Sequence, residues 1–184
     1  SVTISQLFGA KRIRDMKSAV FTAIISLSVL GVALALLGVF LSAPLMRLLK
    51  APAGLFEDAA AYLAIYSVGV IPMFIYNGAN AIYTGLGDSK RPLYFLIMSS
   101  VLNVVLDIVA VGPLGLGVKG AAWATTISQA VAAAISAILI SRKIADIKTE
   151  EKARVFDGSL LREMSGIALP SIFQQSCVAL AHTI

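Results

Sequence analysis

Long apolar runs alternate with short polar segments along this sequence, and each run is long enough to cross a bilayer. A membrane helix needs about 20 apolar residues at about 1.5 Å of rise per residue. Four complete runs meet this length and a fifth begins near the end; the five are residues 18–42, 59–83, 93–111, 121–141 and 164–184. The pattern predicts an all-α, polytopic transmembrane helix bundle.

The segments between the runs carry most of the charges and turn residues. Residues 1–17 predict the end of a helix followed by a basic loop. Residues 43–58 contain two prolines and predict a loop with a short interfacial helix. The glycine-rich segments 84–92 and 112–120 predict tight turns. Residues 142–163 form the longest polar stretch and therefore the best domain boundary.

Small residues and a proline inside the runs predict how the helices pack. Gly31 and Gly38 in the first run would let a neighbouring helix approach closely. Pro72 lies in the middle of the second run and predicts a kink there.

The third run holds Asn103 and Asp107, which are four residues apart and therefore share one helical face. Asp107 is the only acidic residue that we place deep within an apolar run. A charged side chain there costs at least about 2.5 kcal/mol on insertion scales, so Asp107 should face the bundle interior or a wet cavity. Because a low dielectric disfavours a charged carboxyl group, Asp107 is the candidate for handling a proton or a cation.

Other polar side chains follow helical spacing in the second and fourth runs. Asn77 and Asn80 fall on one face of the second run, and Thr125 and Gln129 share a face of the fourth. Both sets suit either hydrogen bonding between helices or the lining of a substrate path. Tyr66 suits either an interface anchor or the same path.

The composition agrees with a membrane protein, since 58% of the residues are hydrophobic, 14% are charged and the mean hydropathy is +0.88. Soluble domains contain about 25% charged residues. The chain has one cysteine and one histidine, so the sequence predicts no internal disulfide, no zinc site and no cofactor. No nucleophile–base pair is evident and no aromatic platform accompanies the charges. We therefore expect neither an enzyme nor a nucleic-acid-binding protein.

The basic residues are distributed unevenly between the two ends of the predicted helices. Residues 11–17, 90–91 and 142–162 carry twelve lysines and arginines, whereas the opposite turns carry three. The excess predicts that these three segments are cytoplasmic and that the protein is a multi-pass protein of the inner (plasma) membrane.

Several motifs, taken in order, identify a family. The sequence contains TGLGDSKRPLY, then LNVVLD, then GLGVKGAAWATTISQ. Together they resemble the multidrug and toxic compound extrusion (MATE) transporters. The opening ISQLFGAK and the later LPSIFQQS are also similar to segments of that family, so the resemblance extends over nearly the whole chain.

The resemblance implies a twelve-helix protein with two six-helix lobes, of which this chain is a part. Residues 1–141 would form part of the N-terminal lobe, from the end of helix 2 through helix 6. Residues 142–163 would be the cytoplasmic linker between the lobes, and residues 164–184 the start of helix 7. Members of the family export small, cationic, drug-like compounds in exchange for protons or sodium. The implied partners are such a substrate, the lipid bilayer and the remaining helices of the parent protein.

The resemblance also implies a site. In one branch of the family the first-lobe cation site uses Asn and Asp on the fifth helix and Thr on the sixth, which Asn103, Asp107 and Thr125 match. These three would bind a metal ion only if the coupling ion is sodium. The branch also uses an Asp on the first helix, which this chain does not contain. Another branch uses a Glu on the seventh helix, and the QQSCVAL segment here has no acid in that region.

Two other functions remain open from the residues alone. A lipid-linked oligosaccharide flippase of related architecture would tend to have a charged, often Arg-lined cavity, whereas no Arg or Lys lies within a run here. In a non-transporting membrane subunit, Asn103 and Asp107 would serve only helix association.

Overall fold

The computed structural model describes residues 2–147, 149 and 153–181, and within these residues it consists of six α-helices without strands. In chain order they are α1 (Val2–Gly9), α2 (Ile13–Leu48), α3 (Ala53–Gly85), α4 (Lys90–Val111), α5 (Gly117–Asp146) and α6 (Gly158–Ala181). Four of them, α2 to α5, are long and apolar enough to cross a membrane. The prediction of an all-α transmembrane bundle is confirmed.

Helix α2 is longer at both ends than its apolar run. It begins at Ile13, so the loop predicted up to residue 17 is reduced to residues 10–12. It continues through Pro44 to Leu48, and α3 begins at Ala53. The loop with a short interfacial helix predicted over residues 43–58 is therefore wrong at both ends, and the connection is reduced to residues 49–52. Pro44 removes one intrahelical hydrogen bond and its ring crowds the carbonyl group one turn back, yet α2 continues through it. Lys50 then reverses the chain with a φ of 53°.

Helix α5 also extends beyond its apolar run, to Asp146, so the polar connection is shorter than the predicted residues 142–163. Ile140 and Ile144 are four residues apart and both are buried. Because these two isoleucines pack in the core, the helix continues through Arg142 and Lys143, beyond the end of the apolar run. Hydropathy predicted the end of the apolar run correctly, but the helix itself ends later, where its buried contacts end.

The start of α6 is attached to the start of α2. The Arg154 amide donates a hydrogen bond to the buried Ser18 hydroxyl at 2.9 Å, and the Asp157 amide donates to the buried Thr22 hydroxyl at 3.0 Å. Asp157 also caps α6, because its Oδ1 accepts a hydrogen bond from the Ser159 amide at 3.0 Å. Hydrogen bonds from Ser159 hold the pKa of the Asp157 carboxyl below its ordinary value.

The main hydrophobic core lies at the end of the bundle where the basic segments meet. It draws residues from five helices: Ile4, Leu7, Met16, Ala19, Val20, Ile82, Tyr83, Phe95, Ile140 and Ile144. Leu160 and Met164 of α6 pack against this core. The described basic segments, around residues 11–17, 90–91, 142–147 and 153–157, therefore lie at one end of the structure, which we call the basic end.

Helices α2 and α3 approach each other closely at the two glycines of the first apolar run. A Cβ atom added at Gly31 would lie 3.4 Å from the Ile71 Cα, and one added at Gly38 would lie 2.7 Å from the Ser67 Cβ. Ser67 is buried in this contact. The close approach predicted from these glycines is confirmed.

Enlarging Gly38 is expected to destabilise the fold. A Gly38→Leu substitution would drive a branched side chain into Ser67, and overpacking of this kind costs about 1–3 kcal/mol. Gly166→Leu is the matched control, because nothing lies within 4 Å of a Cβ at that position. Thermal unfolding in detergent should show a lower midpoint for the first variant only. Equal midpoints would contradict the close packing of α2 on α3.

A charged cluster ties the α3–α4 turn to α5 at the basic end. Lys143 Nζ donates a hydrogen bond to Asp88 Oδ2 at 3.1 Å, and Arg91 Nε lies 3.3 Å from the same oxygen. Both cations also lie over the ring of the buried Tyr83, at 5.3 and 5.4 Å from its centroid. Burial alone would raise the pKa of the Asp88 carboxyl, but the interactions with Lys143 and Arg91 outweigh it and lower the pKa.

The lowered pKa of Asp88 predicts an acid-sensitive contribution to stability. The ionised carboxylate stabilises the fold fully above its unfolded pKa of about 3.9, and this stabilisation is lost as the pH falls through the lower folded pKa. Asp88→Asn should therefore cost about 1 kcal/mol near neutral pH and progressively less below about pH 4. Unfolding midpoints measured between pH 3 and pH 7 test this. Asp146→Asn, which removes an exposed carboxylate on α5, serves as the control. If the difference in unfolding midpoint between Asp88→Asn and the unmodified protein grew on acidification, the prediction would be contradicted.

Candidate functional site

Helices α3, α4 and α5 line a cavity of about 380 Å³ that is partly open to the outside. The described residues that line it are Tyr66, Met73, Tyr76 and Asn77 from α3, Leu96, Ser99, Ser100 and Asn103 from α4, and Thr125, Ser128 and Gln129 from α5. None of these carries a charge, so hydroxyl and amide groups, two aromatic rings, a thioether and one leucine side chain provide the lining.

Helical periodicity in the sequence creates this polar lining. On α4 the lining residues begin at Leu96 and recur at i+3, i+4 and i+7, which places them on one face. On α5 Thr125 is followed by lining residues at i+3 and i+4. Apart from Lys90, Arg91 and Asp107, the rest of α4 is apolar, so the helix turns its polar strip towards its neighbours and its apolar side outwards.

Two consecutive threonines fix α5 between its neighbours. Asn103 Nδ2 on α4 donates a hydrogen bond to Thr125 Oγ1 at 3.3 Å. Thr126 turns towards α3, where its hydroxyl lies 3.4 Å from the Ile65 carbonyl oxygen. A Cβ added at Gly69 would lie 2.9 Å from Thr126 Oγ1, so this glycine allows the close approach of α3 and α5. The packing of Thr126 on α3 thus orients Thr125 towards Asn103.

Asp107 lies one turn beyond Asn103 on the same face of α4, outside the set that lines the cavity. Its Oδ1 atom is buried and has no hydrogen-bond partner among the described residues. Leaving a buried polar atom unsatisfied costs about 1–3 kcal/mol, and more when it is charged. A bound proton, a cation or a donor from outside the described residues would satisfy this oxygen. Asn103 and Thr125 also carry oxygen atoms of the hard type.

The structure brings together most of the residues singled out from the sequence. Asn77, Gln129 and Tyr66 line the cavity together with Asn103 and Thr125.

Asn80 does not line the cavity. Its Oδ1 is buried without a hydrogen-bond partner in the described part of the chain, and its backbone oxygen accepts a hydrogen bond from the Thr84 hydroxyl at 2.9 Å.

Sequence reasoning missed four lining residues: Met73, Tyr76, Leu96 and Ser128. Ser128 follows Thr125 by three positions, so helical spacing could have identified it. Tyr76 and Met73 carry no such signal, because aromatic and apolar side chains are common throughout the second run.

Comparison with known proteins places this arrangement in a family. The MatE family model matches residues 1–109. The chain is 36% identical over 129 residues to the probable multidrug resistance protein YpnP of Bacillus subtilis (strain 168), which covers 70% of this chain and 29% of that protein. It is 29% identical over 189 residues to the probable multidrug resistance protein YoeA of the same organism, covering 99% of this chain and 41% of that protein.

The solved structures agree with the sequence relatives. The chain is similar to the crystal structure of MATE in complex with MaD3S, with a TM-score of 0.85 and 26% identity over 97% of this chain and 40% of that one. It therefore spans less than half the length of these relatives. The matched family model, the identity to YpnP and the shared fold lead to one conclusion: this chain belongs to the MatE family of membrane transporters.

Proposed function

We propose that this chain is part of a secondary active transporter that exports small cationic, amphipathic compounds in exchange for protons or sodium ions. The names of its relatives as probable multidrug resistance proteins support efflux as the activity. The observation that carries the proposal is the buried Asp107 Oδ1, which has no hydrogen-bond partner among the described residues and lies one turn from the Asn103–Thr125 hydrogen bond.

In this proposal Asp107 is the coupling residue. Protonation of its carboxyl group would remove a negative charge from the region beside the cavity, and a cationic substrate would then be held less well. Alternatively, a sodium ion would bind the carboxylate with oxygen atoms of Asn103 and Thr125, because alkali ions prefer oxygen ligands. Either event changes the charge next to the substrate path, which is the property an antiporter needs.

The cavity between α3, α4 and α5 is the proposed substrate path. Its volume of about 380 Å³ falls within the range of about 300–1,000 Å³ that small-molecule sites occupy. The rings of Tyr66 and Tyr76 can attract a cation through their faces, and Met73 adapts to different apolar shapes. Asn77 and Gln129 supply hydrogen bonds to polar groups of the substrate.

Two features bear on orientation and on the rival function. We propose that the protein lies in the plasma membrane with its basic end facing the cytoplasm.

The rival function, a lipid-linked oligosaccharide flippase, is less well supported. The described lining of the cavity contains no Lys or Arg to bind a diphosphate.

Transport in sealed vesicles tests the proposal. The full-length protein would be reconstituted with a fluorescent cationic dye, and a pH gradient and a sodium gradient would be imposed in separate experiments. Dye export driven by one gradient would establish antiport and identify the coupling ion. Dye movement that neither gradient accelerates would overturn the proposal. Vesicles without protein provide the control for passive leakage.

A further inference from the structure

The face of α4 that points away from the cavity carries a continuous exposed stripe, which we call the α4 stripe. It starts at residue 90 and recurs at i+4, i+7, i+11, i+14 and i+18, so all members lie within about 40° of one line along the helix. Its members are Lys90, Tyr94, Ile97, Val101, Val104 and Ile108. Each of the five after Lys90 is more than half exposed, whereas Asn103 lies on the opposite side of the helix.

The basic end of the stripe presents a free positive charge. Lys90 is exposed, and its ammonium group makes no ion pair or hydrogen bond within the part of the chain that the structure describes. Its neighbour Arg91 is engaged by Asp88 and by the Tyr83 ring. Tyr94 lies one turn further into the membrane and is 65% exposed. A lysine followed by a tyrosine is the arrangement that suits the boundary between headgroups and hydrocarbon.

The apolar part of the stripe has the length of one lipid leaflet. Eleven residues separate Ile97 from Ile108, which corresponds to about 16 Å of helix. Half of a hydrocarbon core of about 30 Å is about 15 Å. The stripe therefore combines a cation, an interfacial phenol and an apolar track in the order and at the spacing of a phospholipid standing in one leaflet.

We propose that the α4 stripe binds an anionic phospholipid of the leaflet at the basic end. The Lys90 ammonium group contacts the lipid phosphate, the Tyr94 hydroxyl lies at the level of the headgroup, and an acyl chain packs along Ile97 and Ile108. Charge complementarity selects an anionic lipid, because the surrounding basic end already attracts negative headgroups. The proposal does not depend on the transport activity, since it concerns the outer face of α4.

Quenching by brominated lipids tests this site directly. The full-length protein, in a background without other reactive cysteines, would carry Ile97→Cys or Val104→Cys labelled with bimane. It would be reconstituted with dibrominated phosphatidylglycerol or dibrominated phosphatidylcholine in otherwise identical vesicles. Both lipids should quench both labels. The apparent affinity should be about fivefold higher for phosphatidylglycerol, the preference expected from one lysine near the membrane surface.

Three control variants separate the possible outcomes. Lys90→Gln should abolish the preference for phosphatidylglycerol while quenching by phosphatidylcholine persists. Lys50→Gln, which removes an exposed cation from the opposite end, should leave the preference unchanged. A label at Ala133→Cys, a buried position, should resist both lipids. If the labels at positions 97 and 104 resisted quenching as strongly as the label at position 133, protein rather than lipid would cover the α4 stripe. A preference that survives Lys90→Gln would overturn the headgroup contact.

Discussion

Replacing Asp107 by asparagine in the full-length protein is expected to abolish gradient-driven dye export. Asparagine keeps the size of the side chain but cannot ionise, so neither proton binding nor a carboxylate–sodium contact remains. In an antiporter the two ligands are coupled reciprocally, and typical coupling factors extend to about 150-fold. If Asp107 supplies this coupling, export under a gradient should fall on the order of a hundredfold, towards the level of vesicles without protein.

The fold should survive this substitution, which makes the result interpretable. Asp107 Oδ1 is buried without a partner in the described residues, so removing its charge does not break an ion pair there. The unfolding midpoint of Asp107→Asn should therefore equal or exceed that of the unmodified protein. Asp58→Asn is the control, because Asp58 is an exposed acid 3.0 Å from Lys119 at the far end of the bundle. If export persisted in Asp107→Asn, Asp107 would have a structural role. The result would then favour the alternative in which Asn103 and Asp107 serve only helix association.

The helices themselves could be predicted well, because a bilayer imposes a strict requirement on the sequence. Every backbone group in the hydrocarbon must be hydrogen-bonded within the protein, so an apolar run of sufficient length becomes a helix. The ends of the helices could not be predicted as well. α2 continues through Pro44 and α5 continues past its apolar run to Asp146, because intrahelical bonds and buried isoleucines extend a helix beyond the hydrocarbon.

The candidate site was only partly accessible to sequence reasoning. Helical spacing predicts which residues share a face, as it did for Asn103 with Asp107 and for Thr125 with Gln129. Spacing does not determine how a helix is rotated against its neighbours. The rotation of α3 depends on contacts between distant residues, such as Gly69 with Thr126.

Two residues of α3 show that sharing a helical face does not decide which side chains line the cavity. Tyr76 faces the cavity although its sequence gave no signal, and Asn80 lies outside the lining although its spacing from Asn77 suggested otherwise. Asp107 illustrates the same limit on α4, since it shares a face with Asn103 yet lies one turn beyond the lining.

Filling the cavity with an indole ring is expected to block export while leaving the surroundings of Asp107 unchanged. Ser99 lines the cavity from α4, and a Ser99→Trp substitution replaces the smallest polar side chain of that face with the largest aromatic one. If the cavity is the substrate path, the ring occupies space that the dye needs. Export should fall by about tenfold or more, because such sites bury most of a small ligand. Asp107 lies two turns further along α4 and keeps its environment.

A matched substitution on the same helix distinguishes obstruction from general damage. Val101→Trp adds an indole to the exposed, opposite side of α4, where the ring points away from the cavity. This variant should export dye within about twofold of the unmodified protein, because aromatic side chains are tolerated where a helix faces lipid. Dye binding should be lost in Ser99→Trp and retained in Val101→Trp, with similar unfolding midpoints for both. Equal export by the two variants would place the substrate path elsewhere in the full-length protein, whereas equal loss would indicate that α4 cannot accept an indole on either face.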